Sequence, residues 1–391
     1  MTQTRHIVVA GASQAGLACA AALRGSGFDG AITMVGEEVH PPYTRPPLSK
    51  GVLTGAESHD SVFLGGQEDV DLLPGTAAVG VDVVQRCVTL DNGDRLYYDG
   101  LVIATGARAR RLAPDHPGEI TLRTLDDAVR LREALMPARE VAIAGGGFLG
   151  MEIASAAAAL GKSVTVVDLV APLVDRLGPV LADMCLAAAA EHGVKVRVSA
   201  GGVRVGFDGD TPTRLISTDG AVLAEADVVI TAAGDVPNTE WLRHPGLPLH
   251  GGVIVDSCCR VAPHVVAAGD VAAAQGRGGR PRRLPHWSNA MSQAKIAATS
   301  LIGAQAAGGD PTAPQFFWTE MFGLSLRLAG QLPPVGVPTV LQGSFADRRA
   351  VLVWPATATH LGTAATINTP LSAPKLIRLA NNTTQQLRTV R

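Results

Sequence analysis

Residues 141–168 read "VAIAGGGFLGMEIASAAAALGKSVTVVD". A short apolar run leads into three glycines, an alanine-rich stretch, a second apolar run and a closing acid. That order predicts strand, tight turn, helix and strand, a βαβ unit. Gly145, Gly147 and Gly150 carry the Gly-x-Gly-x-x-Gly spacing. The first glycine permits the turn, the second lets backbone approach a pyrophosphate, and the third allows the helix to pack closely on the strand. The helix then turns free N–H groups and the positive end of its dipole toward phosphate. Asp168 ends the second strand, where a carboxylate accepts from ribose hydroxyls and repels a 2′-phosphate. The unit therefore predicts a site for NADH in preference to NADPH, although Arg176 is near enough in sequence to reach a 2′-phosphate. Glycines alone also suit a plain strand-to-helix turn; the complete unit ending in an acid favours a nucleotide.

The chain begins with a second copy. Residues 5–38, "RHIVVAGASQAGLACAAALRGSGFDGAITMVGEE", place an apolar strand at Ile7–Ala10, a glycine turn, an alanine-rich helix and a strand at Ile32–Val35. The turn is Gly11-x-Ser13-x-x-Gly16, with serine in the middle position. Serine is small and its hydroxyl can bond phosphate. Glu37 and Glu38 follow the second strand; one can hold an adenosine ribose and the other reads as a solvated charge. Two dinucleotide patterns in one chain imply an internal redox relay, with a stored coenzyme and a travelling reductant. FAD suits the first site, because its ADP half needs this grip.

Each copy is followed by an alternating segment with turn signals, "VTLDNGDRLYYDG" and "RLISTDGAVLAEAD", expected as inserted antiparallel hairpins. Buried strands then end in Ala104-Thr105-Gly106 and Ala233-Gly234. A further strand, Val265–Ala268, ends in Gly269-Asp270 and is expected to rejoin the first sheet; a helix is expected from about Asn289 to Ile302. The stretch "PPYTRPPLSK" at 41–50 holds four prolines, which fix φ and remove backbone donors, so it is expected to be neither helix nor central strand. Beyond the linker "GAQAAGGDPTAP" the chain reads as strands with proline-rich turns and ends in a polar tail, "NNTTQQLRTVR", expected to fray.

Bulk properties narrow the class. The net charge of −2 over 391 residues gives no reason to expect nucleic acid. From residue 313 onward seven bases face two acids, +5, leaving −7 for the rest. The cysteines, Cys19, Cys87, Cys185, Cys258 and Cys259, have neither metal-ligand nor Cys-x-x-Cys spacing, and no secretory signal precedes the first strand. These features lead us to expect a reduced, cytoplasmic protein. No apolar run free of charge reaches transmembrane length.

Together "PYTRPPLSK", the two glycine turns, "ATGARARRL", "GGGFLGMEIASAA", "AAGDVA", "HWSNAMSQAKIAA" and "FFWTEMFGLSLRLAG" resemble the FAD-dependent reductases of the glutathione-reductase fold. Within it the resemblance is to the NADH-dependent ferredoxin reductases, the putidaredoxin-reductase and dioxygenase-reductase group. It covers residues 5 to about 330; the last sixty or so match loosely.

The resemblance implies an α/β chain with two Rossmann-like domains and an α+β C-terminal domain. FAD would be held by 1–108 and 241–312, NADH by 109–240, with 313–391 covering the flavin and receiving the acceptor. By similarity Arg45 and Lys50 lie along FAD, and Lys50 pairs with Glu152 to leave a positive centre near the atom that takes hydride. Val79, Thr105 and Gly106 join Gly11, Ser13, Gly16, Glu37 and Glu38 on the FAD side; Gly234 joins the NAD side. Asp270 matches the acid that accepts from the ribityl and phosphate region, though it also suits a helix cap. His286 and Trp287 precede a helix whose dipole would face the flavin's N1 edge, and Trp318 matches an aromatic beside the ring. Relatives often carry a Glu-Ser-Trp type sequence where this chain has Pro285-His286-Trp287.

Disulfide reductases of this fold carry a cysteine pair beside the flavin; this chain does not, so electrons are expected to leave the flavin singly for a small acidic ferredoxin serving a cytochrome P450 or oxygenase. Arg277, Arg280, Arg282 and Arg283 would attract such a partner, or form an ordinary solvated loop. The alternatives are an NADH oxidase or diaphorase, and an NADH-sensing flavoprotein of the apoptosis-inducing-factor kind. Either a monomer or a homodimer is compatible.

Overall fold

Runs of two to six residues, mostly apolar, form the parallel strands of two sheets in a computed structural model of the chain. It describes residues 5–66, 68–243, 246–275, 280–303, 316–357 and 360–389. By compactness the chain divides into two units: residues 1–44, 62–108 and 236–313, and residues 45–61, 109–235 and 314–391.

In the first unit a six-stranded sheet runs Arg260–Ala262, Val265–Ala267, Gly100–Ile103, His6–Ala10, Ala31–Gly36, Asp71–Pro74. All neighbours are parallel except the first two. Side chains alternate across a strand, so Ile7 and Val9 enter one core with Leu23, Met34 and Val102, while Val8 enters another with Val35, Leu101 and Ile103. Helices Gln14–Gly25 and Trp287–Leu301 pack against each other through alanines, whose small side chains permit close approach. The second helix starts two residues earlier than its sequence suggests. The first hairpin is part of a three-stranded sheet, Ala78–Asp82, Cys87–Leu90 and Arg95–Tyr97.

In the second unit five parallel strands run Lys195–Val198, Ser163–Asp168, Glu140–Ala144, Val228–Thr231, Ile120–Thr121. Helix Phe148–Ala159 fills the βαβ unit, and the other hairpin is a three-stranded sheet from Val203 to Glu225. A five-stranded antiparallel sheet follows, Phe316–Met321, Leu324–Gly330, Thr363–Ile367, Arg349–Trp354, Thr339–Ser344.

Two sequence expectations are corrected. The polar tail, expected to fray, continues helix Ala373–Thr389. Its anchor is apolar, with Leu376 and Ala380 buried against Ala329, Val353 and Ala364. The proline loop also contains helix: Pro46–Ser49 is a 3-10 turn with prolines in its first two positions, where no backbone donor is needed. Residues 45–61 fall in the second unit, not with the strands that flank them in sequence. Arg45 donates to the carbonyl of Arg123 at 2.5 Å, and Lys50 is held by Glu152.

Candidate functional site

The first glycine turn lies at the carboxyl end of strand His6–Ala10, where the chain passes to neighbours on either side. Open α/β sheets bind ligands at such a switch point. A Cβ on Gly11, at φ +120°, would lie 2.1 Å from the carbonyl oxygen of Ala104, and one on Gly16 would lie 2.0 Å from that of Gly11. Ser13 precedes the helix in extended conformation, and its side chain makes no capping bond. Glu37 is exposed. Glu38 accepts from the hydroxyl of Tyr43, a contact between acid and proline loop that the sequence did not disclose.

Other residues of this unit have protein partners. The Thr105 hydroxyl donates to the Asn238 carbonyl at 2.9 Å, and Gly106 takes φ +64° while its carbonyl accepts from Asn238 N. Val79 sits at a register shift in its strand and is exposed. Asp270 follows Gly269, whose N–H donates to buried Gln293 at 2.9 Å; the Asp270 carbonyl accepts from Arg283 at 2.9 Å. His286 caps the helix that Trp287 begins, and Trp287 is half-exposed. Arg280 and Arg282 are exposed; Arg277 lies outside the described residues. Two buried amide oxygens, Gln14 Oε1 and Asn289 Oδ1, have no partner among the described residues. They lie on helices joined by the Gln14–Met291 contact. A ligand rich in hydroxyl donors supplies what such acceptors lack.

In the second unit Gly145, at φ +112°, has no room for a Cβ, which would lie 2.3 Å from the Ala232 carbonyl. Gly150 has none either: its Cβ would lie 1.9 Å from the Gly145 carbonyl. Gly147 differs. Its φ is −70° and a Cβ would meet nothing within 4 Å, so neither strain nor packing requires glycine there. What remains is access to the backbone at a helix N-terminus, the requirement of a phosphate. Asp168 is oriented beside it, with Oδ2 accepting from Gly146 N at 2.7 Å and Oδ1 from Leu169 N at 2.6 Å. Arg176 is exposed, and Gly234, at φ +92°, faces open space.

The same unit contains the charged pair. Lys50 Nζ and Glu152 Oε2 are 2.6 Å apart, with side chains 21% and 10% exposed. Lys50 also donates to the Pro46 carbonyl at 3.1 Å. Trp318 lies in strand Phe316–Met321 and stacks on Phe316, ring centroids 6.0 Å apart. The cysteines are free, and all but Cys258 are buried. No helix among the described residues is long and apolar enough to cross a membrane, and no cluster there could hold a metal ion.

Two nucleotide-type turns and a partly buried lysine–glutamate pair are the setting in which similarity to known proteins becomes decisive. Residues 5–294 match the model of the pyridine nucleotide-disulphide oxidoreductases. The chain belongs to this family. It is 36% identical over 357 residues to the chlorobenzene dioxygenase ferredoxin reductase component of Cupriavidus sp. strain PS12, covering 89% of this chain and 85% of that one. Rhodocoxin reductase of Rhodococcus erythropolis is 34% identical, covering 83% and 78%. Among solved structures, the ferredoxin reductase of the CYP199A2 system from Rhodopseudomonas palustris superposes with a TM-score of 0.84 at 29% identity, covering 93% and 91%. Putidaredoxin reductase, solved in covalent complex with putidaredoxin, gives 0.85 at 27%, covering 98% and 94%. As an oxidoreductase of this family the chain uses FAD and NADH. The close-packed Gly11 and Gly16, the open Gly147 and the partnerless amide oxygens fit those coenzymes.

Proposed function

We propose that this chain is an NADH-dependent ferredoxin reductase, taking hydride from NADH and delivering electrons one at a time to a 2Fe–2S-type ferredoxin that serves a cytochrome P450 or ring-hydroxylating oxygenase. The observation that carries this reading is the match, over nearly nine-tenths of the chain, to a reductase named for its ferredoxin. Bound FAD would supply the conversion from two-electron to one-electron transfer.

The chain's own residues bind and orient. Backbone N–H groups after Gly11 and Gly145 face phosphates, and the three-domain assignment given by the resemblance allots FAD to the first turn and NADH to the second. Gly16 and Gly150 let each helix approach its strand. Asp168, fixed by two backbone N–H groups, presents anionic oxygen to a ribose and disfavours a 2′-phosphate. Lys50 supplies positive charge to the hydride step, and Glu152 directs that lysine. Thr105, Gly106, Asp270, His286, Trp287, Val79, Arg45 and Trp318 complete the proposed coenzyme contacts. Arg283 is turned onto the Asp270 carbonyl, so Arg280 and Arg282 are the better docking charges for an acidic ferredoxin.

Stopped-flow mixing tests the reading. Protein loaded with FAD is mixed with NADH or NADPH, then with a 2Fe–2S ferredoxin. Rapid flavin bleaching by NADH, slower bleaching by NADPH, and ferredoxin reduction that slows as salt rises are the expected results. NADH consumption unaffected by ferredoxin would instead make the chain an oxidase, and a rate indifferent to ionic strength would remove the basic docking surface.

A further inference from the structure

Helix Phe148–Ala159 and strand Phe316–Met321 meet along matched stripes. Phe148, Glu152 and Ser155 stand at i, i+4 and i+7, one helical face. Phe317 and Thr319 stand at alternate strand positions, one sheet face. Phe148 packs on Phe317, ring centroids 4.4 Å apart. Thr319 Oγ1 donates to Glu152 Oε1 at 2.7 Å, and Phe322 N donates to Ser155 Oγ at 2.7 Å. The other carboxylate oxygen, Glu152 Oε2, receives Ser49 Oγ at 2.6 Å as well as Lys50 Nζ. Each oxygen of Glu152 is thus held by a hydroxyl, one from the proline loop and one from the C-terminal sheet.

Thr319 is fully buried and its strand neighbours are largely aromatic or apolar. Valine has the same shape and would fill that place without the cost of burying a hydroxyl. The hydroxyl is compensated by its bond to Glu152, and a bond to a charged acceptor contributes more than one to a neutral group. A carboxylate gripped at both oxygens cannot rotate, and it fixes the direction of the ammonium it faces.

We propose that Thr319 and Ser49 are positioning residues for hydride transfer: they fix Glu152, which fixes Lys50, so the C-terminal sheet contributes to that step through a hydroxyl. This rests on the role given above to Lys50 and Glu152. It assigns to the carboxy-terminal fifth of the chain a part in the reductive half-reaction, besides any part in meeting an acceptor.

The test compares Thr319→Val, Thr319→Ser and Ser49→Ala with the unaltered full chain. The first readout needs no turnover: reductive methylation of Lys50 in the native protein, quantified by peptide mass spectrometry. Thr319→Val should expose Lys50 to severalfold faster labelling, Ser49→Ala should do the same from the other oxygen, and Thr319→Ser should restore the original rate. The second readout is single-turnover reduction of the FAD-loaded protein. Loss of one bond to a charged group should slow the limiting rate about tenfold while the NADH dissociation constant holds, and Thr319→Ser should recover it. Should Thr319→Val fail to fold, Ser49→Ala carries the same test. Unchanged Lys50 labelling in a folded Thr319→Val or Ser49→Ala protein would overturn the proposal, as would a loss confined to NADH affinity or one that Thr319→Ser does not repair. Failure of the unaltered protein to be reduced by NADH would overturn the reductase reading instead, and the labelling result would stand apart from it.

Discussion

A methyl group added at Gly147 meets open space, whereas one at Gly150 lies 1.9 Å from the Gly145 carbonyl. The two glycines of one motif therefore answer different demands, and substitution separates them. Gly147→Ala should fold with a loss of no more than about 1 kcal/mol, the cap preference of glycine over alanine, yet bind NADH at least about tenfold more weakly because the side chain intrudes where phosphate approaches. Gly150→Ala should lose about 3 kcal/mol by overpacking. Urea unfolding and NADH titration on both proteins check the pair; equal losses of stability would refute the distinction. At this scale the sequence disclosed residues that belong to motifs and missed those that only complete them. Lys50 and Glu152 stood out by resemblance, and the ion pair is present. Ser49, Thr319 and Tyr43 did not, because their hydroxyls act through partners that depend on the register of distant elements. One signal was available: Thr319 is a polar residue at an inward position of the strand "FFWTEM".

Elements were legible where one hydrophobic period ran uninterrupted. Three of the four strands of the two βαβ units, His6–Ala10, Ala31–Gly36 and Glu140–Ala144, have four or more buried residues in succession, as parallel strands covered on both faces should. The C-terminal helix was missed for the complementary reason. Asn381, Asn382, Thr383 and Thr384 are poor helix formers; among the described residues buried Leu376 and Ala380, one turn apart, fasten the helix to the sheet, with partly buried Ile377 and Leu379 packed beside them. Leu376 is the fully buried centre of that anchor, so the helix should be sensitive to its truncation. Leu376→Ala should cost about 3 kcal/mol, seen as a lower thermal midpoint and weaker helical circular dichroism. An unchanged midpoint would mean the helix contributes little to stability. The proline loop shows the opposite bias: prolines that argue against helix in mid-element are the residues that start a 3-10 turn at Pro46.

For the molecule as a whole, burial governs the alkaline limit. Burial raises the Cys185 and Cys259 thiols from 9.0 to about 12, with Asp256 adding to the effect at Cys259, and raises the Tyr98 phenol from 10.0 to about 12. The folded chain keeps these protons after the unfolded chain has released them. Their contribution is thus complete below pH 9 and is lost as pH climbs toward 12. The thermal midpoint should hold level up to about pH 9 and fall beyond it; Cys185→Ser should flatten the decline. Native alkylation at pH 8 should reach Cys258 before the buried thiols. Fold class was readable in the sequence because two copies of one pattern announce themselves. The assignment of 45–61 to the second compact unit was not, since it depends on bonds to Arg123 and Glu152 far along the chain. The spacing of those bonds also bears on biosynthesis. Lys50 and Glu152 emerge from the ribosome early, but Thr319 follows Glu152 by 167 positions. A nascent polypeptide can thus shape both nucleotide turns while one carboxylate oxygen still awaits its hydroxyl, and hydride competence should ripen only after Thr319 has been made.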